Sequence, residues 1–224
     1  MTKLTQPTAA PTVVDRARFD EALAEQVAAE KEVTRHDDRV SASRRRLPMV
    51  EVADYTFTDA DGPVRLSELF GEKYLLLVQN VMFGPDWDEG CPSCTWAVDN
   101  LPANMERLTD EGIAFAMVSQ APVAKLEDWR AKRTWDHRWV SSYDTTYHYD
   151  WGWTQTDENG EEGQLPGYSY YLLKDGKPYL TYMTTARGTE ATLPVAHIMD
   201  RSVYGRQQDW EDSPEGWPQA PTYG

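Results

Sequence analysis

The sequence predicts an α/β protein built on a mixed sheet, and three observations carry that expectation. Tyr74-Leu75-Leu76-Leu77-Val78-Gln79 and residues 113–119 are short, largely apolar runs, the composition of strands buried on both faces. Each is followed by a segment with helical spacing, so strand and helix alternate. Two further runs, 168–173 and 179–183, flank Lys174-Asp175-Gly176-Lys177, a tight-turn signature that adds an antiparallel hairpin. Alternation first and a hairpin last describe a central mixed sheet flanked by helices.

Taken in order, residues 1–14 are rich in Thr, Pro and Ala and read as a disordered leader. Residues 15–47 contain neither Gly nor Pro, and Pro48 stops them. Phe19, Leu23 and Val27 recur every four residues, with Val33 and Val40 beyond, which is an amphipathic helix pattern. Arg44, Arg45 and Arg46 close it, since cations favour a helix C-terminus. Helix termination explains these arginines better than anion binding. This helix either crosses its own domain or pairs with a second copy, the route to a homo-oligomer that the sequence offers.

Tyr55 and Phe57 open a strand, Asp59-Ala60-Asp61-Gly62-Pro63 turns it, and 64–70 reads as a short strand entering a helical turn capped by Ser67. A loop occupies 82–90. Residues 95–111 have helical spacing through Val98, Leu101, Met105 and Leu108, ending at Gly112. A second helix spans 123–134, and Val140 marks a third strand. Tyr147, Tyr149, Trp151 and Trp153 alternate at period two, so they are expected to form the core face of a strand. The competing reading makes them the wall of a substrate groove, with His148 as proton shuttle. Residues 189–199 read as a last helix. Residues 205–224 are expected to be an extended tail held by Trp210 and Trp217. The organisation is therefore a leader (1–14), a helix (15–47), a domain (48–204) and a tail.

Among the 224 residues, 37 acidic against 22 basic side chains give a net charge of −15. Nucleic acid as a partner is excluded, because its binding needs a basic face, and anionic membrane surfaces are disfavoured likewise. No apolar run approaches the ~18 residues of a membrane span, and the N-terminus lacks the ~7–15 apolar residues of a secretory signal. An acidic, soluble, cytoplasmic protein is the expectation. In a reducing compartment a close cysteine pair reads as redox or metal chemistry.

That pair is Cys91-Pro92-Ser93-Cys94, placed between the first buried strand and a helix. A dithiol switch needs one ionised, exposed thiol and a second within covalent reach. A helix start supplies free N–H groups and a positive dipole end, which lower a thiol pKa. Two intervening residues put Cys94 one turn along the same face, and Pro92 suits the first helical position. Cys91 is thereby assigned as attacking nucleophile and Cys94 as resolving thiol, with Pro92 and Ser93 in support. Asp86, Asp88 and Glu89 oppose thiolate formation, so the direction of the Cys91 shift is open at this point. No cofactor is called for. A structural zinc site needs four ligands, and His36, His137, His148 and His197 show no paired spacing to complete one, although thiolates also suit copper(I). A metal-binding or partner-docking module with a dormant thiol pair is the non-enzymatic alternative.

The segment Phe83-Gly84-Pro85-Asp86-Trp87-Asp88-Glu89-Gly90-Cys91-Pro92-Ser93-Cys94 closely resembles the hallmark of a bacterial thioredoxin-like family of formally unknown function, whose members are described as predicted dithiol–disulfide oxidoreductases. The likeness continues in Arg44-Arg45-Arg46-Leu47-Pro48, Val118-Ser119-Gln120-Ala121-Pro122, Trp139-Val140-Ser141-Ser142, Tyr149-Asp150-Trp151-Gly152 and Thr185-Ala186-Arg187-Gly188. It covers residues 15–200; from Asp200 onward the ending departs from the family's aromatic-basic finish. The resemblance implies a thioredoxin-like fold, Cys91 and Cys94 as the redox pair, and a protein or small-molecule disulfide or thiol as substrate.

Such sites commonly hold a cis-proline facing the thiols. Pro166 is the nearest position, though a plain turn proline is the preferred reading. Trp87 either shields the thiols or sits partly in the core, and Arg187 either faces a thiolate or makes a surface ion pair. A peroxiredoxin-like thiol peroxidase is the runner-up activity. It ranks lower because Pro85 and Glu89 before Cys91 do not match that family's Pro and Thr/Ser spacing.

Overall fold

The computed structural model describes residues 7–102 and 105–219. Residues 1–6 of the leader, 103–104 of the expected 95–111 helix and 220–224 of the tail lie outside it. Two compact units are present: Pro48–Leu193, and a second formed by Met1–Leu47 with Pro194–Gly224.

In the second unit, α1 (Arg16–Arg44) begins at Asp15, whose carboxylate accepts the Arg18 N–H at 2.9 Å. The apolar face expected to be covered is open. No residue of α1 is buried, and Phe19, Leu23, Val27, Val33 and Val40 are all exposed. Short-range ion pairs, Arg16 with Asp20 and Arg18 with Glu21, support it along its length. In the tail the Trp217 ring lies 5.2 Å from that of Tyr204, and Trp210 is 41% exposed.

The Pro48–Leu193 unit carries an eight-stranded sheet in the order β1-β10-β9-β4-β5-β6-β2-β3. Its strands are β1 (Val50–Glu51), β2 (Thr56–Asp59), β3 (Gly62–Arg65), β4 (Leu75–Asn80), β5 (Ile113–Ser119), β6 (Trp139–Ser141), β9 (Gly167–Lys174) and β10 (Lys177–Thr185). At the centre, β4 runs parallel to β5 and antiparallel to β9. Asp175 and Gly176, both at positive φ, close the β9–β10 hairpin as that turn type requires. Residues 66–70 form a 3-10 turn, whose N-cap is Arg65; Ser67 lies inside it and is bonded by Asp54.

Period-two alternation divides the buried strands between two cores. One face of the sheet presents Leu76, Val78, Ala116, Val118, Val140 and Tyr171 to a cluster with Phe57, Leu66 and Phe70. The other presents Met117 and Trp139 to a cluster that contains Cys91, Cys94, Val98 and Leu126, the last on α4 (Val123–Arg133).

Three expectations are corrected. The 147–153 segment is not a strand: α5 (Tyr147–Asp150) is a single helical turn, and Gly152 at φ 70° redirects the chain. Tyr147 and Trp153 are buried while Tyr149 is exposed. The helical turn and the reversal bury the two ends of the aromatic run and leave Tyr149 outside. The 95–111 helix is broken at Pro102, which cannot donate into a helix interior, leaving α2 (Pro92–Asp99) and α3 (Glu106–Asp110). The 189–199 helix is likewise split by Pro194 into a 3-10 segment, Ala186–Thr192, and α6 (Pro194–Asp200). A small hairpin of β7 (Thr154–Thr156) and β8 (Glu162–Gln164) is fastened to the end of β5 through Gln120, whose side-chain Oε1 accepts from the Thr154 hydroxyl and the Gln164 side-chain amide at 3.0 and 3.1 Å.

Candidate active site

The cysteines stand where β4 gives way to α2. Cys91 is the N-cap of α2, in extended conformation, and Pro92 takes the first helical position. The Cys91 N–H donates to Met82 O at 3.0 Å, which ties the helix start back to the strand end. Between them, the 84–90 loop is held from above by α4. Lys125 Nζ donates to the carbonyls of Pro85 and Trp87 at 2.6 and 2.9 Å. Two of its glycines lie close against indoles. A Cβ at Gly84 would stand 2.8 Å from Trp87 Nε1, and one at Gly90 would stand 3.1 Å from Trp129 Nε1.

Both thiols are free, and both are more enclosed than a sequence reading of an exposed nucleophile expects: Cys91 is 8% and Cys94 4% exposed. Their protonation states diverge. Cys91 is lowered to about 5, first because the Cys94 thiol donates a hydrogen bond to it, against the opposing effect of burial. The Ser93 hydroxyl, 3.1 Å from Cys91 Sγ, and the N–H groups of Cys94 and Ser93 add to it. Cys94 is raised far above the ordinary thiol range by that same hydrogen bond, by burial and by the charge on Cys91. The question left open by the acidic loop is thus resolved downward. Asp86, Asp88 and Glu89 point to solvent, where their field is screened, while the donors touch the sulfur.

The remaining expected residues separate. Trp87 is 39% exposed, with its ring over Gly84. Pro166 immediately precedes β9, and its carbonyl accepts from the Thr185 hydroxyl at 2.6 Å; no described peptide bond is cis. Arg187 lies in the 3-10 segment after β10 and pairs with Glu190 at 3.5 Å. His148 belongs to the core: its Nδ1 is 2.5 Å from Ser142 Oγ, and burial lowers it to about 4. No three His, Cys, Asp or Glu side chains among the described residues are grouped to hold a metal ion.

Sequence reasoning missed the floor of the site. Register aligns Tyr168 with Gln79, Gln79 with Met117 and Met117 with Trp139, one row across four strands on the cysteine face. Gln79 and Tyr168 are buried there. The signal available was Gln79 itself, a polar residue following an apolar run.

Comparison with known proteins bears first on the fold. Peroxidoxin BcpB from Mycobacterium tuberculosis superimposes with a TM-score of 0.50 at 17% identity, covering 66% of this chain and 97% of its own. Bacterioferritin comigratory protein from Xanthomonas campestris gives 0.49 at 14% identity, covering 68% and 96%. The first of these shows the fold to be thioredoxin-like. No helix of the described residues is long and apolar enough to cross a membrane. No curated protein matches the sequence. A family model matches residues 8–223, nearly the whole chain, so the protein belongs to the family described as "Bacterial protein of unknown function (DUF899)".

Proposed function

We propose that the protein is a thiol–disulfide oxidoreductase working through Cys91 and Cys94. One arrangement carries this reading: two free thiols stand at the start of α2, Cys91 as its N-cap with the Ser93 hydroxyl 3.1 Å from its sulfur, in surroundings that favour the Cys91 thiolate and keep Cys94 protonated. That is the charge distribution a dithiol exchange needs before substrate arrives. The Cys91 thiolate attacks one sulfur of a substrate disulfide, forming a mixed disulfide and expelling the other sulfur as a thiolate. Cys94 then loses its proton and attacks Cys91 Sγ. The Cys91–Cys94 disulfide forms, the substrate's second sulfur leaves as a thiol, and two electrons have passed from protein to substrate. A dithiol donor restores the pair.

The test is disulfide reduction by the Cys91→Ser and Cys94→Ser variants. Cys91→Ser is expected to be inactive and Cys94→Ser to accumulate the mixed disulfide; undiminished turnover by Cys91→Ser refutes the assignment. A second reading, a thiol peroxidase, is favoured by the fold shared with a peroxidoxin, although that likeness speaks for the fold alone. Peroxide would then oxidise Cys91 to a sulfenic acid, which Cys94 condenses to the same disulfide with loss of water. Oxidation by peroxide no faster than that of a free thiol of equal acidity rules it out.

A further inference from the structure

Two stretches that the sequence singles out, 118–122 and 139–142, take no part in the exchange itself, yet they meet behind the thiols. Ser119 closes β5, two residues after Met117 and therefore on the same sheet face, the one that packs against both cysteines. Its side chain is fully buried.

The two hydrogen bonds of its hydroxyl have only one possible direction. The Trp139 indole can only donate, and its Nε1 lies 3.0 Å from Ser119 Oγ. A carbonyl can only accept, and Val81 O lies 2.5 Å from the same oxygen. The single proton of the hydroxyl is therefore committed to Val81. That residue directly follows β4 and is held on its other side as well, its N–H donating to Val118 O at 3.0 Å. The next residue, Met82, carries the carbonyl that accepts the Cys91 N–H at 3.0 Å. Ser119 is itself fixed from the end of β6, where the Ser142 N–H and Oγ donate to its carbonyl at 2.9 and 3.1 Å. Trp139, Val81 and both cysteines belong to one buried cluster. Three hydrogen bonds and the single step from Val81 to Met82 thus connect the Trp139 indole to the backbone of Cys91. Cys91 is the N-cap of α2, so the placing of that backbone decides whether its sulfur meets the donors at the helix start, the Ser93 hydroxyl at 3.1 Å among them. Hydrogen bonds weaken steeply away from their preferred angle, so a small displacement here takes donors off the sulfur.

We propose that Ser119 is the positioning residue of the reactive thiol: through Val81 and Met82 it holds the backbone of Cys91 where the sulfur meets the donors at the start of α2, and Trp139 orients its hydroxyl for that task. Ser119 acts through the strand end rather than on the sulfur itself. Ser141 supplies an internal comparison. Its hydroxyl is also buried and donates to Ala121 O at 2.7 Å, a hydrogen bond of the same kind that does not reach residues 81–82. This inference rests on the dithiol exchange reading for the use made of the thiolate, and adds to it what keeps that thiolate in place.

The experiment takes two readings on the reduced full-length chain: the pH midpoint of alkylation by iodoacetamide, and the stopped-flow rate at which Cys91 releases the first thionitrobenzoate from dithiobis(nitrobenzoate). Ser119→Ala is expected to raise the midpoint by about 1 pH unit, the low end of what one hydrogen bond to a charged group contributes. The first release at pH 5 is then expected to slow by about 5-fold, the fall in thiolate fraction that such a shift brings. Trp139→Phe, which leaves the hydroxyl in place without its donor, is expected to move the midpoint the same way by less. Ser141→Ala, with a comparable loss of melting temperature, is expected to leave both readings at the wild-type value. A Ser119→Ala profile superimposable on the wild type, or an equal shift in Ser141→Ala, overturns the positioning role. If Ser119→Ala does not fold, a Trp139→Phe midpoint unchanged from the wild type overturns it. Absence of the first release in the wild type, with the alkylation midpoint still low, instead overturns the exchange reading itself.

Discussion

Removing the Cys94 thiol tests the electrostatics of the site most directly. Cys91 moves from an ordinary 9.0 to about 5. At roughly 1.36 kcal/mol per pH unit, that is about 5 kcal/mol of preference for the thiolate over the thiol. The leading cause is the hydrogen bond donated by Cys94, with Ser93 and two backbone N–H groups behind it. A hydrogen bond to a charged group contributes about 1.5–3 kcal/mol, so Cys94→Ala is expected to raise the Cys91 midpoint by about 1–2 pH units. Ser93→Ala should raise it by less. The assay is the pH dependence of iodoacetamide alkylation. Enclosure of the sulfur lowers the absolute rate but leaves the midpoint alone. A wild-type midpoint near 9, or superimposable wild-type and Cys94→Ala profiles, refutes the account of how the thiolate is held.

Three further outcomes follow from the same structure. His148, lowered from 6.5 to about 4 by burial, resists protonation only when folded, so its contribution is present above pH 6.5 and lost as pH falls toward 4. The loss amounts to about 3 kcal/mol. Denaturant titrations at the two ends of that window should show it in the wild type and a smaller loss in His148→Gln. Gly112 sits at φ 77° with the Tyr74 ring where a Cβ would lie, 2.3 Å from Cε1, so Gly112→Ala should destabilise by at least ~1–3 kcal/mol in thermal or chemical unfolding. Lys125→Met removes the ammonium whose two hydrogen bonds hold the 84–90 loop. Limited proteolysis within that loop should accelerate while the melting temperature falls only slightly, and an unchanged cleavage rate means the clamp is idle.

What could be read from the sequence was whatever local chemistry decides. The two central strands announce themselves as apolar runs, the Asp175-Gly176 turn by its need for positive φ, and the thiol pair by lying between a strand and a proline-started helix. Interruptions were visible but unweighted: Pro102 and Pro194 each break a helix whose hydrophobic spacing continues past them. The aromatic alternation at 147–153 misled because spacing alone cannot tell a strand from a helical turn followed by a reversal. Tyr168 was illegible for a different reason. Its place beside Gln79 and on the cysteine face depends on strand register, a long-range property that one apolar run does not encode. The Cys91 shift was undecidable for the same cause, since the donors count only once their contact with the sulfur is known.

The depth at which Cys91 lies also sorts the molecules that can reach it. With 8% of the residue open to water, the exchange reading requires a substrate sulfur to reach a largely enclosed thiolate. On that reading a bridge locked inside a folded domain is a poor substrate, because its own neighbours hinder the approach. A small disulfide, or one carried on an extended or unfolded chain, is a better one. On the exchange reading, enclosure acts as a sieve on shape, ahead of any specific contact.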